Sequence, residues 1–115
     1  MIRIVFLEEG DRLIGFEARG HAGYAEYGAD IVCAAVSGIL ITAANGLEKV
    51  ACAPTRTQQD DDTGLLTAVL AANPEEKALE RTGVILETAR LGLLEIEKQY
   101  PDFVRVHSQR RRSAS

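Results

Sequence analysis

The sequence predicts a two-layer α+β domain, a mainly antiparallel sheet with both helices on one face, in the order ββα-ββα-β. Three observations carry this. Residues 1–19 alternate apolar and polar residues around a short acidic turn that contains glycine, and residues 55–60 and 65–70 flank a second such turn. Each of these stretches is followed by a long segment with helical signals. The chain has 115 residues, 46% hydrophobic and 26% charged, which suits one continuous core and is too short for two.

The elements follow in order. Residues 1–7 read as a strand with Ile2, Ile4 and Phe6 on one face; Glu8, Glu9, Gly10 and Asp11 form a turn, and residues 12–19 are its hairpin partner. Residues 20–29 hold three glycines, two tyrosines and no period, which marks a loop. Asp30 is a suitable N-cap for a helix over residues 31–50. That helix is apolar nearly all round and so must be covered on all sides. A sheet covers one face, and a second copy of the chain is expected to cover part of the rest. The apolar run, residues 31–47, is interrupted by Ser37, Thr42 and Asn45 and falls short of the roughly 20 residues of a membrane span.

Pro54 breaks the chain before a second hairpin, residues 55–60 and 65–70, around the turn Asp60-Asp61-Asp62-Thr63-Gly64. This acidic triplet lacks the wider ligand spacing of a calcium loop and reads as a solvated turn. Asn73, Pro74 and Glu76 mark a helix start, as N-cap, first-turn proline and capping-box glutamate. The helix should run to about Tyr100, burying Ala78, Thr82, Ile85, Leu86, Ala89, Leu93 and Ile96. Glu75, Glu80, Glu87, Arg90, Glu97 and Lys98 should face water. Pro101 ends the helix, and residues 103–106 form a short last strand. The domain is expected to span residues 1–108, and residues 109–115 (QRRRSAS) to be an unpacked basic tail.

Net charge is −4, from 13 basic and 17 acidic residues; without Arg110, Arg111 and Arg112 the count is 10 against 17, a body of −7. That average argues against nucleic acid as a partner. Two cysteines without a CxxC pattern, and an opening with no long apolar h-region, point to a soluble cytoplasmic protein with reduced thiols. His21, Cys33, Cys52 and His107 offer zinc-ligand types but none of the short-spaced pairs usual in zinc sites. No metal and no cofactor is expected.

A cysteine nucleophile needs help to ionise, a base, and donors for an oxyanion. With Asp30 as cap, Cys33 is the third helical residue, where unpaired N–H groups and the macrodipole favour negative charge. His21 lies 12 residues upstream. Gly20, Gly23 and Gly28 would let the loop fold its imidazole back to the sulfur, or keep it mobile until substrate arrives. Tyr24 and Tyr27 could wall a bound peptide. By residue type alone, a loop histidine is usually a surface residue and a cysteine within Ile-Val-Cys-Ala-Ala-Val a small core hydrophobe.

The run GHAGYAEYGADIVCAAVS, residues 20–37, resembles the signature of the ribosomal-processing cysteine proteases of the Prp family, with its Gly-His-Ala, Gly-rich loop, Gly-x-Asp-x-Val-Cys and Ala-x-Ser. The resemblance implies His21 and Cys33 as catalytic pair, Cys33 as nucleophile and His21 as base and then acid. Asp30 takes the family's acidic position, as helix cap, orienter of His21, or both. Ser37, four residues after Cys33, has a supporting or substrate-contact role. The implied substrate is the N-terminal extension of a large-subunit ribosomal protein precursor, with apolar and aromatic residues before the scissile bond; a homodimer is also implied. The rival readings are a non-catalytic ribosome-assembly or binding module of the same fold and a redox sensor at Cys33.

Overall fold

The computed structural model describes residues 1–20, 29–71 and 74–111, the side chains of Ala29 and Asp30 apart. Its elements are β1 (Ile2–Glu9), β2 (Arg12–Arg19), α1 (Ala29–Lys49), β3 (Thr55–Asp60), β4 (Leu65–Leu70), α2 (Glu76–Gln99) and β5 (Val104–Arg110). Period-two alternation in β1 buries Ile2, Ile4 and Phe6 and turns Arg3 and Val5 to the other face. Phe16 and Ala18 of β2 lie directly opposite Phe6 and Ile4. The Phe6 and Phe16 rings sit 6.3 Å apart, tilted by 53°. Gly10 closes the hairpin at φ 62°, a conformation that suits glycine.

The five strands lie in the order β3-β4-β2-β1-β5. Three of the four pairings are antiparallel; β5 joins β1 in parallel. Both helices cover one face. Val32, Val36, Leu40, Ala43 and Leu47 of α1 and Leu86, Ala89 and Leu93 of α2 share one buried cluster with the strand residues. The helices run antiparallel, each offering a glycine to the other's isoleucine: a methyl added at Gly92 would stand 3.3 Å from Ile39, and one at Gly46 3.5 Å from Ile85. From Ile31 to Lys49, α1 is long and apolar enough to cross a membrane by length and composition, which revises the shorter run read from sequence. Here its apolar stripe is core.

Several expectations shift. Helix α1 begins at Ala29, so Asp30 is its second residue and not its N-cap. Alanine is the strongest helix former, and an acid inside the first turn still suits the macrodipole. Helix α2 begins at Glu76 with Glu75 as N-cap in extended conformation, its side chain making no cap hydrogen bond. Pro74 therefore precedes the cap, while Asn73 lies outside the described residues. Glu76 does not close a capping box; it pairs with Arg12 at the start of β2. That hydrogen bond and charge hold the Glu76 carboxyl below its ordinary range. Arg90 and Glu97, expected in water, are half-buried because both reach β5. Arg90 donates to Ser108 Oγ at 3.0 Å, and Glu97 accepts the Val106 N–H at 2.7 Å, satisfying a strand donor.

The last strand is longer than expected. Gln109 and Arg110 belong to β5, and the Arg111 N–H donates to Glu8 O at 2.7 Å. The unpacked tail thus cannot begin at 109; residues 112–115 lie outside the described residues. The acidic turn is held by its own bonds, the Asp62 N–H to Asp60 Oδ1 at 3.0 Å among them.

Two core substitutions should move stability in opposite directions. The Thr82 hydroxyl is fully buried with no hydrogen-bond partner among the described residues, so Thr82→Val should stabilise by about 1 kcal/mol. A Cβ at Gly15 would stand 2.5 Å from Ala68 O and 2.7 Å from Val69 Cα, both backbone. Gly15→Ala should therefore cost roughly 3 kcal/mol, because strand β4 would have to move. Urea unfolding checks both; a destabilised Thr82→Val would mean the hydroxyl is bonded.

Candidate active site

Cys33 is the fifth residue of α1, one turn in. Its own N–H therefore lies within the i→i−4 ladder. The donors without an intrahelical carbonyl are those of residues 29–31. Helical Cα–Cβ bonds tilt toward the N-terminus, which carries the Cys33 sulfur back over that first turn. The cysteine is half-buried and packs at the margin of the core cluster, beside the stripe that starts with Val32 and Val36. This combines the two readings of Cys33: the backbone is anchored by core packing while the side chain keeps an opening. Ser37, one turn on, is also half-buried.

Gly20 has a role that the sequence did not disclose. It takes φ +95°, and a Cβ there would stand 2.3 Å from the Met1 carbonyl oxygen. Both the dihedral and the space exclude a side chain. Gly20 thus ends β2 in one backbone conformation, immediately before His21 in the sequence. A glycine followed by histidine at the end of an alternating stretch was the available signal, but the close approach depends on where β1 begins. His21, Gly23, Tyr24, Tyr27 and Gly28 lie outside the described residues.

The other candidates separate from this end of the molecule. Cys52 follows α1 at its far end, exposed, at φ 53°, between buried Ala51 and Ala53. Here the Ala51 N–H returns to Gly46 O and the Ala53 N–H to Leu47 O, each at 2.9 Å, closing the helix. Just past the helix end Cys52 holds the left-handed backbone in which glycine is usual. His107 sits within β5, exposed, in register with Val5. Among the described residues, no group of three or more His, Cys, Asp or Glu could hold a metal ion.

The sequence matches the family model described as cysteine protease Prp over residues 1–105. The chain belongs to the Prp family of cysteine proteases. Among curated Prp relatives, the ribosomal processing cysteine protease Prp of Bacillus subtilis is 28% identical over 107 residues, 92% of this chain and 96% of that protein. Its counterpart from Mycoplasma pneumoniae is 33% identical over 94 residues, covering 82% and 86%. A crystal structure from Streptococcus mutans is 32% identical, with a TM-score of 0.83 and 96% of each chain covered. The Prp of Staphylococcus aureus, solved with a substrate peptide, shares the fold at 24% identity and a TM-score of 0.81, over 95% of this chain and all of that one. The two-layer α+β fold and the cysteine-protease class expected from sequence both stand.

Gly20→Ala should lower the melting temperature and reduce peptide cleavage together. The left-handed conformation alone costs a non-glycine residue about 1–2 kcal/mol, and the contact with Met1 O adds to that. Thermal unfolding read beside cleavage checks it; an unchanged melting temperature would show that β1 and β2 can part at no cost.

Proposed function

We propose that this Prp-family enzyme is a cysteine endopeptidase that removes the N-terminal extension of a bacterial large-subunit ribosomal protein, with Cys33 as nucleophile and His21 as base. The observation that carries the reading is the family match, which spans both residues. The relatives' names, ribosomal processing cysteine protease, support the substrate. The position of Cys33 over the first turn of α1 supports the chemistry.

His21 takes the thiol proton, and the thiolate attacks the scissile carbonyl. The N–H groups of the first helical turn face the oxyanion that forms. The tetrahedral species collapses to a thioester as the amine leaves with the proton from His21. Water, deprotonated by His21, then attacks the thioester and releases the carboxylate product and the thiol. Asp30 contributes negative charge near His21 and the helix start; Ser37 contacts substrate or supports Cys33. Gly23 and Gly28 give the loop its reach, and Tyr24 and Tyr27 wall the residues before the scissile bond.

The enzyme acts in the cytoplasm as a homodimer. The exposed side of α1 is uncharged over four turns, through Ile31, Ala35, Gly38, Thr42 and Asn45, and Ile31 is 70% exposed. Such a face favours close approach of a second α1.

Cys33→Ala should abolish cleavage of a precursor peptide, and Cys52→Ala should retain most of it; equal cleavage by wild type and Cys33→Ala would end the protease reading. Gly38→Glu has room in a single copy, since nothing lies within 4 Å of a Cβ there. It should convert the dimer to monomer in light scattering. A wild-type monomer at micromolar concentration would overturn the dimer.

A further inference from the structure

The sheet face turned away from the helices carries a row of arginines. Arg3 of β1 lies in register with Arg19 of β2 on one side and with Arg105 of β5 on the other. All three are exposed, and their chain neighbours Ile2, Ile4, Ala18 and Val104 are buried toward the helices. Register therefore fixes all three guanidinium groups on the outer face, on adjacent strands about 4.8 Å apart. None of them forms an ion pair among the described residues. Like charges directly opposite in a sheet repel, so the row is a cost to the fold unless an anion lies across it.

We propose that this outer sheet face binds the phosphate backbone of RNA, docking the enzyme beside its substrate rather than taking part in peptide cleavage. Guanidinium forks match phosphate oxygens in pairs, and a nucleic-acid strand offers closely spaced phosphates to a row about 10 Å long. At the other end of the face an open hollow of about 1010 Å³ is lined by Arg56, Arg110 and Arg111 together with Glu9 and Glu17. The next row inward, His107, Val5 and Glu17, holds one acid. The row is thus locally basic although the whole chain carries a net −4.

The same face fits other partners less well. Among the described residues the apolar side chains on this face, Val5, Leu7, Leu65 and Val69, are half-buried, whereas surface-binding membrane elements pair basic residues with fully inserting apolar ones. A second copy would bring arginine row against arginine row. Among the described residues no aromatic side chain stands on the face to stack bases, so recognition is of backbone and not of sequence.

The test is fluorescence anisotropy of a labelled oligouridylate and of a mixed-sequence RNA with the full chain over a salt titration. No peptide is present, so the result is independent of the protease reading. Binding should weaken with salt at a logarithmic slope of about −2, from three phosphate contacts on a single strand. Arg3→Gln, Arg19→Gln or Arg105→Gln should each weaken binding equally for both RNAs and reduce the slope by about 0.7. The triple variant should lose at least tenfold, while Arg81→Gln on exposed α2 should not. The triple variant should melt no lower than wild type, since a repulsion is removed. Absence of binding at low salt, or a triple variant that binds as wild type, would overturn the proposal. So would loss of binding only on removal of residues 112–115. Vesicles rich in phosphatidylglycerol that bind through these arginines while RNA does not would assign the face to a membrane surface instead.

Discussion

The register between β1 and β2 is the constraint on which the rest depends. Ile4 faces Ala18 and Phe6 faces Phe16 on the helix side. A slip of one residue would exchange every inward and outward side chain of the hairpin. It would bury Arg3 and Arg19 beneath the helices and expose the two phenylalanines, a loss no local adjustment could offset. The same register brings the end of β2 level with Met1, which is why Gly20 meets that carbonyl and the chain leaves the sheet where it does. The core, the exit toward His21 and the arginine row are three readings of one alignment.

Helix α1 joins packing to chemistry along its length. Val32 to Leu47 hold it on the sheet, and the cysteine at its beginning inherits that rigidity. Placing a reactive group on an element fixed by the core spares the site the cost of ordering it. At the other end Cys52 takes φ 53°, unusual for a residue with a side chain. The two thiols differ in setting because they mark opposite ends of one helix.

Much of the fold was legible in the sequence because its signals are local. Alternation marked the first hairpin, the acidic turns at Gly10 and Gly64 marked where both reverse, and the stripe through Ala78, Thr82, Leu86, Ala89 and Leu93 marked the buried side of α2. What was not legible depends on distant partners. The extra length of β5 comes from its pairing with β1 and is invisible in a polar segment such as His107-Ser108-Gln109. Glu76 has the right spacing for a capping box, but Arg12, sixty-four positions away, takes its carboxylate. Asp30 is a good cap by type, yet Ala29 continues the helix beyond it. For the site, the spacing of His21 and Cys33 identified the chemistry only through the family signature; residue types alone left a surface histidine and a core cysteine. The outward arginines were hidden because net charge has no direction until strands are placed side by side.

The parallel pairing of β5 with β1 has a consequence in time. Ile2 bonds to the Phe103 carbonyl and aligns with Val104, so the first strand made waits for nearly the last. Contacts so distant along the chain form late, after most of the loop-closure entropy has been lost. During synthesis the β1–β2 hairpin and α1 can gather first, but one edge of β1 stays unpaired until translation reaches β5. Met1 borders both that edge and Gly20, so the path toward His21 is secured only when the sheet closes. A nascent chain is therefore held short of the finished sheet until β5 has emerged to pair with β1.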